Sequence, residues 1–265
     1  MNRDIQEEAS KHSDVRVIFT DAAQNSEKQI HDVEKLMKQG IDLLIISPNE
    51  AKPLTPIVQE VYRKIPVIVL DRDIESSGYT MFIGADNRLI GRGAGEFVSQ
   101  LLGARGGNVV EIEGLLGSTP AKDRSDGFRE AIAAHGNIRI VGTVTADWLR
   151  DKAEDLMREQ LRKWPDVDVV FAHNDPMALG AYKAASALGR QGIRFVGIDG
   201  LSGPGGGIQL VNRKVLQATF IYPTGGKEAV QYAFRILNRE PNLPKRITLD
   251  SIKVTADNVS DYLGK

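Results

Sequence analysis

Cysteine is absent from the chain, which excludes disulfide staples, cysteine-ligated zinc, iron–sulfur clusters and thiol nucleophiles together. An excess of one charge is lacking too: 34 Lys and Arg stand against 35 Asp and Glu, a net charge of −1. A nucleic-acid binder draws much of its affinity from neutralised phosphates and carries a basic excess or stripe; no nucleic-acid partner is expected here. No run approaches the roughly 18 consecutive apolar residues that span a bilayer. The opening MNRDIQEEASKH is polar and charged and does not read as a secretory signal. Aromatic residues make up 6% of the chain and tryptophan occurs twice, so each tryptophan needs a reason for its place.

What is present is a soluble globular composition, 42% hydrophobic and 26% charged over 265 residues, a length suited to two domains. Apolar runs of strand length recur at Val15–Asp21, Asp42–Ser47, Val67–Asp71, Phe82–Asp86, Asn108–Glu113, Ile138–Thr145, Val167–Asn174, Arg194–Asp199 and Leu216–Tyr222. They are continuous and not alternating, as strands buried on both faces are. Between them lie segments with helical spacing, at 1–12, 27–40, 87–102, 121–134, 152–164 and 175–188, several ending at a glycine. Strand–helix alternation of this kind predicts α/β architecture: two doubly wound, mostly parallel sheets.

In open α/β sheets, ligands bind beyond the carboxyl ends of the strands. Those positions hold Asp71-Arg72-Asp73, Asp86-Asn87, Asn174-Asp175, Asp199 and Tyr222, with Arg124 in a helix start and Trp148 just past a strand. Carboxylates, guanidinium and amide groups beside aromatic planes suit a polyhydroxylated ligand, whose hydroxyls both donate and accept and whose C–H faces are apolar. An Asp or Asn after a strand also serves as a helix N-cap, and for Asp86 and Asp175 that is the preferred reading.

The strings Val69-Leu70-Asp71-Arg72, Ile83-Gly84-Ala85-Asp86-Asn87, Val110-Glu111-Ile112-Glu113-Gly114, Asp123-Arg124-Ser125-Asp126-Gly127-Phe128, Phe171-Ala172-His173-Asn174-Asp175-Pro176-Met177-Ala178-Leu179-Gly180 and Val196-Gly197-Ile198-Asp199-Gly200 resemble, in order, the type I periplasmic sugar-binding proteins. This is the group of the bacterial ribose-binding proteins, which share a fold with LacI-type effector domains. The resemblance runs from about Val15 to Asp250. It implies an N-terminal lobe of 1–85 and 223–250 and a C-terminal lobe of 86–222 and 251–265, joined by a three-crossing hinge that closes on ligand. It implies sugar-hydroxyl contacts from Asp71 and Arg72 in the first lobe, and from Arg124, Asn174 and Asp199 in the second. Trp148 takes the place of a ring that stacks on the sugar. Tyr222 stands where ribose-binding relatives carry Gln, so ribose itself is not implied. The family's opening strand has no counterpart here, and its absence is expected to leave a gap or an unpaired edge in the first sheet.

Other signals are weaker. Gly91-Arg92-Gly93-Ala94-Gly95 lies inside a helix and lacks the sixth-position glycine of a dinucleotide fingerprint; close helix–sheet packing is the better account. Gly203–Gly207 has no Walker lysine and reads as a flexible loop. The four histidines lack metal-ligand spacing and no G-x-S-x-G elbow occurs, so no metal, cofactor or serine nucleophile is expected. A glycosidase also places carboxylates around a sugar, but an Asp beside an Arg suits hydrogen-bond acceptance and not proton donation, and no catalysis is expected.

The expected function is capture of a pentose or hexose between the lobes by a monomeric, extracytoplasmic solute-binding protein that delivers it to the membrane permease of an ABC transporter. The same lobes serve in the ectodomain of a sensor kinase, which would continue past Lys265 into an apolar helix of about 20 residues. They also serve in a LacI-type regulator, which would carry an upstream helix-turn-helix. Because the chain shows neither, transport is the favoured expectation.

Overall fold

A computed structural model describes residues 1–264. In chain order the elements are α1 (Asn2–Ala9), α2 (Ser26–Lys38), β1 (Leu44–Ile46), α3 (Ala51–Tyr62), β2 (Val67–Leu70), β3 (Met81–Ala85), α4 (Asn87–Leu102), β4 (Gly107–Glu113), α5 (Thr119–Ala133) and β5 (Ile138–Thr145). They continue as α6 (Arg150–Lys163), β6 (Val169–Ala172), α7 (Asp175–Ala187), β7 (Arg194–Val196), α8 (Gly207–Asn212), β8 (Ala218–Ile221), α9 (Gly226–Leu237), β9 (Arg246–Leu249) and β10 (Ile252–Thr255).

The chain divides into two compact units. One holds Met1–Ala85, Gly117–Thr119 and Pro223–Leu249; the other holds Asp86–Leu116, Pro120–Tyr222 and the described residues from Asp250 to Gly264. Two details differ from the sequence reading. Gly117–Thr119 goes with the first unit, because the Ala51 N–H donates to the Gly117 carbonyl (2.8 Å) and the Asp73 N–H to Thr119 Oγ1 (2.9 Å). Asp250 goes with the second unit, whose β10 begins two residues later. Lys265, the end of the expected second lobe, lies outside the described residues.

The first unit is built on a parallel sheet in the order β1-β2-β3-β9. Successive residues of a strand face opposite ways, and here both faces are covered. Val67 and Val69 pack with Val33, Leu54, Val58 and Phe82 against α2 and α3. Ile68 and Leu70 pack with Ile5, Ala9, Ala229 and Val230 against α1 and α9. That two-sided burial is why β2 reads as an unbroken Val-Ile-Val-Leu run.

The second unit has the order β10-β8-β7-β6-β4-β5, parallel except for the antiparallel β10–β8 pair. Val110, Ile112, Val170 and Ala172 meet α6, α7 and α8 in one core. On the other face Phe128 of α5 stacks on Phe171 of β6, ring centroids 4.2 Å apart.

Val15–Asp21 is not a strand. A strand needs a ladder partner, and β1 pairs only with β2. Residues 15–18 instead wall an apolar cavity of about 380 Å³ lined also by Leu43, Ile45, Val230 and Phe234. Helices α3 and α9 and strands β9 and β10 carry no expectation from sequence. In α3, Pro53 and Pro56 argue against a helix. Pro53 lies in the first turn, where an N–H has no intrahelical acceptor. Pro56 forfeits one bond, which burial of Ala51, Leu54, Ile57, Val58 and Val61 on one stripe outweighs. Strands β9 and β10 are largely exposed, so they lack the apolar run that marks the buried strands.

Candidate functional site

At the carboxyl ends of β1 and β2 the first unit gathers Ser47, Asn49, Asp71 and Arg72. Asp71 sits at φ +67°, in the left-handed region that costs a residue with a Cβ energy and recurs at functional positions. Its N–H donates to the Ile83 carbonyl (2.8 Å), and its carboxylate accepts from the Ser47 hydroxyl (3.2 Å). Arg72 Nε lies 3.8 Å from that carboxylate, and its Nη1 donates to the Asn49 carbonyl at 3.0 Å. Asp73 is drawn off into an ion pair with Arg246 (2.5 Å) and is structural.

The second unit brings the other five expected residues together at its own strand ends. Arg124 is the centre. Its side chain is buried, its Nε donates to Asn87 Oδ1 (2.8 Å), and its Nη1 donates to the His173 carbonyl. The guanidinium carbon lies 4.8 Å from the Tyr222 ring centroid and 5.6 Å from that of Trp148, within cation–π range of both. Asp199 Oδ1 is 3.9 Å from Nη1. Asn174 caps α7, accepting from the Met177 N–H (2.9 Å), while its Nδ2 donates to the Trp148 carbonyl (3.2 Å). Trp148 and Asp147 occupy consecutive left-handed positions, φ +70° and +50°. The indole lies flat on Gly114, where a Cβ would come within 2.1 Å of the ring.

Asn87, which the sequence places at a strand end without a ligand role of its own, belongs to this group. It is buried, and its Nδ2 donates to the Tyr222 hydroxyl at 3.3 Å while its oxygen receives Arg124. The signal that could have found it is its position, one residue after the Asp86 cap, whose carboxylate accepts from the Leu89 N–H as expected. Asp175 differs from expectation: the cap of its helix is Asn174, and the Asp175 carboxylate turns inward. Gly91, Gly93 and Gly95 serve packing, but Gly91 and Gly95 contact α5, and only Gly93 meets a strand residue, Phe220.

Behind Arg124 runs a buried polar chain. The Gly114 N–H donates to His173 Nδ1 (3.3 Å), and Nε2 faces Glu111 Oε1 at 3.2 Å. An accepting Nδ1 leaves the proton on Nε2. Arg129 Nη2 stands 2.6 Å from Glu111 Oε2 as an ion pair off the hydrogen-bonding direction. Burial holds the His173 pKa below the ordinary 6.5, against the opposing pull of Glu111. A group whose folded pKa is depressed stabilises above its unfolded pKa and loses that contribution as pH falls through the folded value. The thermal midpoint is therefore expected to drop as pH is lowered below 6.5, by up to about 1.4 kcal/mol of stability per pH unit for one proton. His173→Gln should flatten that decline in a calorimetric series; an unchanged slope would assign it to the carboxylates.

Two wound α/β units, each with its polar residues at the carboxyl ends of its strands, define a type I two-lobed binding protein. The sequence profile described as periplasmic binding protein domain matches residues 1–241, and the chain belongs to that family. It is 35% identical over 201 residues to the ribose import binding protein of Bacillus subtilis, an alignment covering 76% of this chain and 64% of that protein. The chain thus spans less than two thirds of that relative's length. Among solved structures, the fructose-binding periplasmic domain of a hybrid two-component system superposes with a TM-score of 0.96 at 45% identity, covering 98% of this chain and 87% of that one. A Mycobacterium smegmatis protein in complex with β-D-fucofuranose gives a TM-score of 0.92 at 31% identity, covering 99% of this chain and 88% of that one. Among the described residues no helix is long and apolar enough to cross a membrane.

Proposed function

We propose that this chain is a non-catalytic receptor for a monosaccharide of five or six carbons, working outside the cytoplasm as the solute-binding protein of an ABC-type importer. One observation carries the reading: the Arg124 guanidinium is held between the Tyr222 and Trp148 rings with the Asp199 carboxylate beside it. A charged donor, a charged acceptor and apolar ring faces within one cluster match what a sugar presents. Asp71 and Arg72 repeat the donor–acceptor pairing in the first unit, and both sets are assigned to the sugar. Hydrogen bonds to charged groups contribute about 1.5–3 kcal/mol each, enough in sum for micromolar binding after the losses of association.

The relatives support the class of ligand: their descriptions name ribose, fructose and a furanose. A second reading, the ectodomain of a sensor, is favoured by the 45% identity to the domain of a two-component system. In both readings the protein is a monomer that passes on the liganded state. The permease, or alternatively the kinase, is the partner.

Calorimetric titration with common aldoses and ketoses is the test. At least one is expected to bind, and Trp148→Ala should weaken it by about tenfold or more through loss of the ring face. Trp148→Phe should retain most of the affinity and controls for the packing on Gly114. No heat with any sugar, or equal affinity in the Ala variant, would overturn the reading.

A further inference from the structure

Asp175 is a carboxylate with no exposed surface, one helical residue away from the site and not used by any contact to Arg124. Its helix does not need it, since Asn174 supplies the cap. Its partners all lie in the segment that carries Asp199 or in the strand beside it. The Asp175 N–H donates to the Ile198 carbonyl (2.7 Å), and Oδ2 accepts from the Gly200 N–H (2.8 Å). Oδ1 accepts from the Thr219 hydroxyl (2.7 Å), which itself lies 3.1 Å from the Gly200 nitrogen. Room for the group is made by Gly197 and Gly207, where a Cβ would stand 2.3 and 2.0 Å from the carboxylate oxygens.

The segment so gripped is strained. Asp199 has φ +123°, and Gly200 follows at +60°. Glycine occupies the first of these regions, and a residue with a Cβ avoids it. Asp199 is tied to β8 by its N–H on the Phe220 carbonyl and by its carbonyl under the Tyr222 N–H, both at 2.9 Å. Those bonds hold its peptide planes against β8, and Asp175 fixes the next N–H, that of Gly200. Burial, and then the charge of Asp199, push the Asp175 pKa well up. A buried carboxylate set beside a second carboxylate opposes folding, and the turn it holds is what it supplies in return.

We propose that Asp175 is a positioning residue for ligand binding: it clamps the Asp199–Gly200 turn and so presents the Asp199 carboxylate next to Arg124. The proposal rests on the receptor reading for its effect on affinity, but the clamp itself is measurable without ligand. Hydrogen exchange of the Gly200 amide, followed by NMR on the full chain without sugar, should speed up by about tenfold or more in Asp175→Ala, as befits loss of a buried acceptor. Affinity for D-fructose and D-ribose, the probes used, should fall by a similar factor of about ten or more. Asp175→Asn is expected to restore both, because its amide oxygen accepts from Gly200 while its NH2 donates to Thr219 Oγ1. Rescue by the neutral isostere separates positioning from a need for charge. If Asp175→Ala does not fold, Thr219→Val, which removes one of the two holds on the Gly200 nitrogen, should show the same exchange in smaller measure. Unchanged Gly200 exchange in Asp175→Ala, or in Thr219→Val if it alone folds, overturns the clamp. Faster exchange with unaltered affinity overturns the positioning role. A wild-type chain that binds neither probe counts against the receptor reading for these sugars, and the exchange arm still decides the clamp.

Discussion

Arg124→Ala is expected to lower sugar affinity by about a hundredfold or more and to destabilise the second unit by about 2–4 kcal/mol. Both effects have the same origin. The guanidinium is buried, and its removal leaves Asn87 Oδ1 and the His173 carbonyl facing a void that water fills poorly. A buried acceptor that loses its donor costs about 1–3 kcal/mol. The site meanwhile loses its charged donor and the cation shared by two rings. Arg124→Lys should recover only a small part. An ammonium keeps the charge but has no planar fork with which to bond Asn87 and the His173 carbonyl at once while staying near both the Tyr222 and Trp148 rings. Isothermal titration gives the first quantity and urea unfolding the second. Affinity within twofold of wild type in Arg124→Ala would remove the residue from the site.

That arginine was legible in the sequence; much of what holds it was not. Asp71, Arg124, Asn174 and Asp199 stand in strings that resemble a known family, and strand-end positions are where α/β sheets place ligands. Asn87 also stands at a strand end, but no string pattern gives it a role, and only the fold reveals that it links Arg124 to Tyr222, which lies 135 residues beyond Asn87. Asp175 has the local pattern of a cap, an Asp directly after a strand. Local pattern decides which residue can cap a helix, but only tertiary neighbours decide which of two adjacent candidates does. The sheets followed the same division. Strands such as β2 and β6, buried on both faces, were marked by their own composition. Strands β9 and β10 are largely exposed, and their place in a sheet depends on β3 and β8. Val15–Asp21 shows the converse: its composition is that of a strand, and without a neighbour to pair with it is none.

Gly91→Ala offers the sharpest contrast between local and tertiary expectation. In an isolated helix the change would stabilise by about 1 kcal/mol, since glycine is a poor helix residue. In α4 the added Cβ would stand 2.2 Å from the Arg124 carbonyl oxygen and 2.8 Å from its Cα and carbonyl carbon. Those are backbone atoms of α5 and cannot rotate aside. Nor can the helices slide apart freely, because Gly127 of α5 sits as closely on the Arg88 carbonyl and the Arg92 nitrogen. Overpacking of this kind costs about 1–3 kcal/mol and more where backbone must move, so a net loss of about 2 kcal/mol is expected by urea unfolding. Gly93→Ala is the control on the same helix. There the Cβ meets only the Phe220 ring edge at 3.2 Å, a side chain able to give by a few tenths of an ångström. Stability should hold or rise, as helix propensity alone directs. The two variants should also part in function. Gly91→Ala presses on Arg124 itself, so it is expected to weaken sugar binding in calorimetry, whereas Gly93→Ala should leave it unchanged. Equal stability and equal affinity in both would mean that α4 and α5 are not in backbone contact, and that Arg124 is not positioned by their crossing.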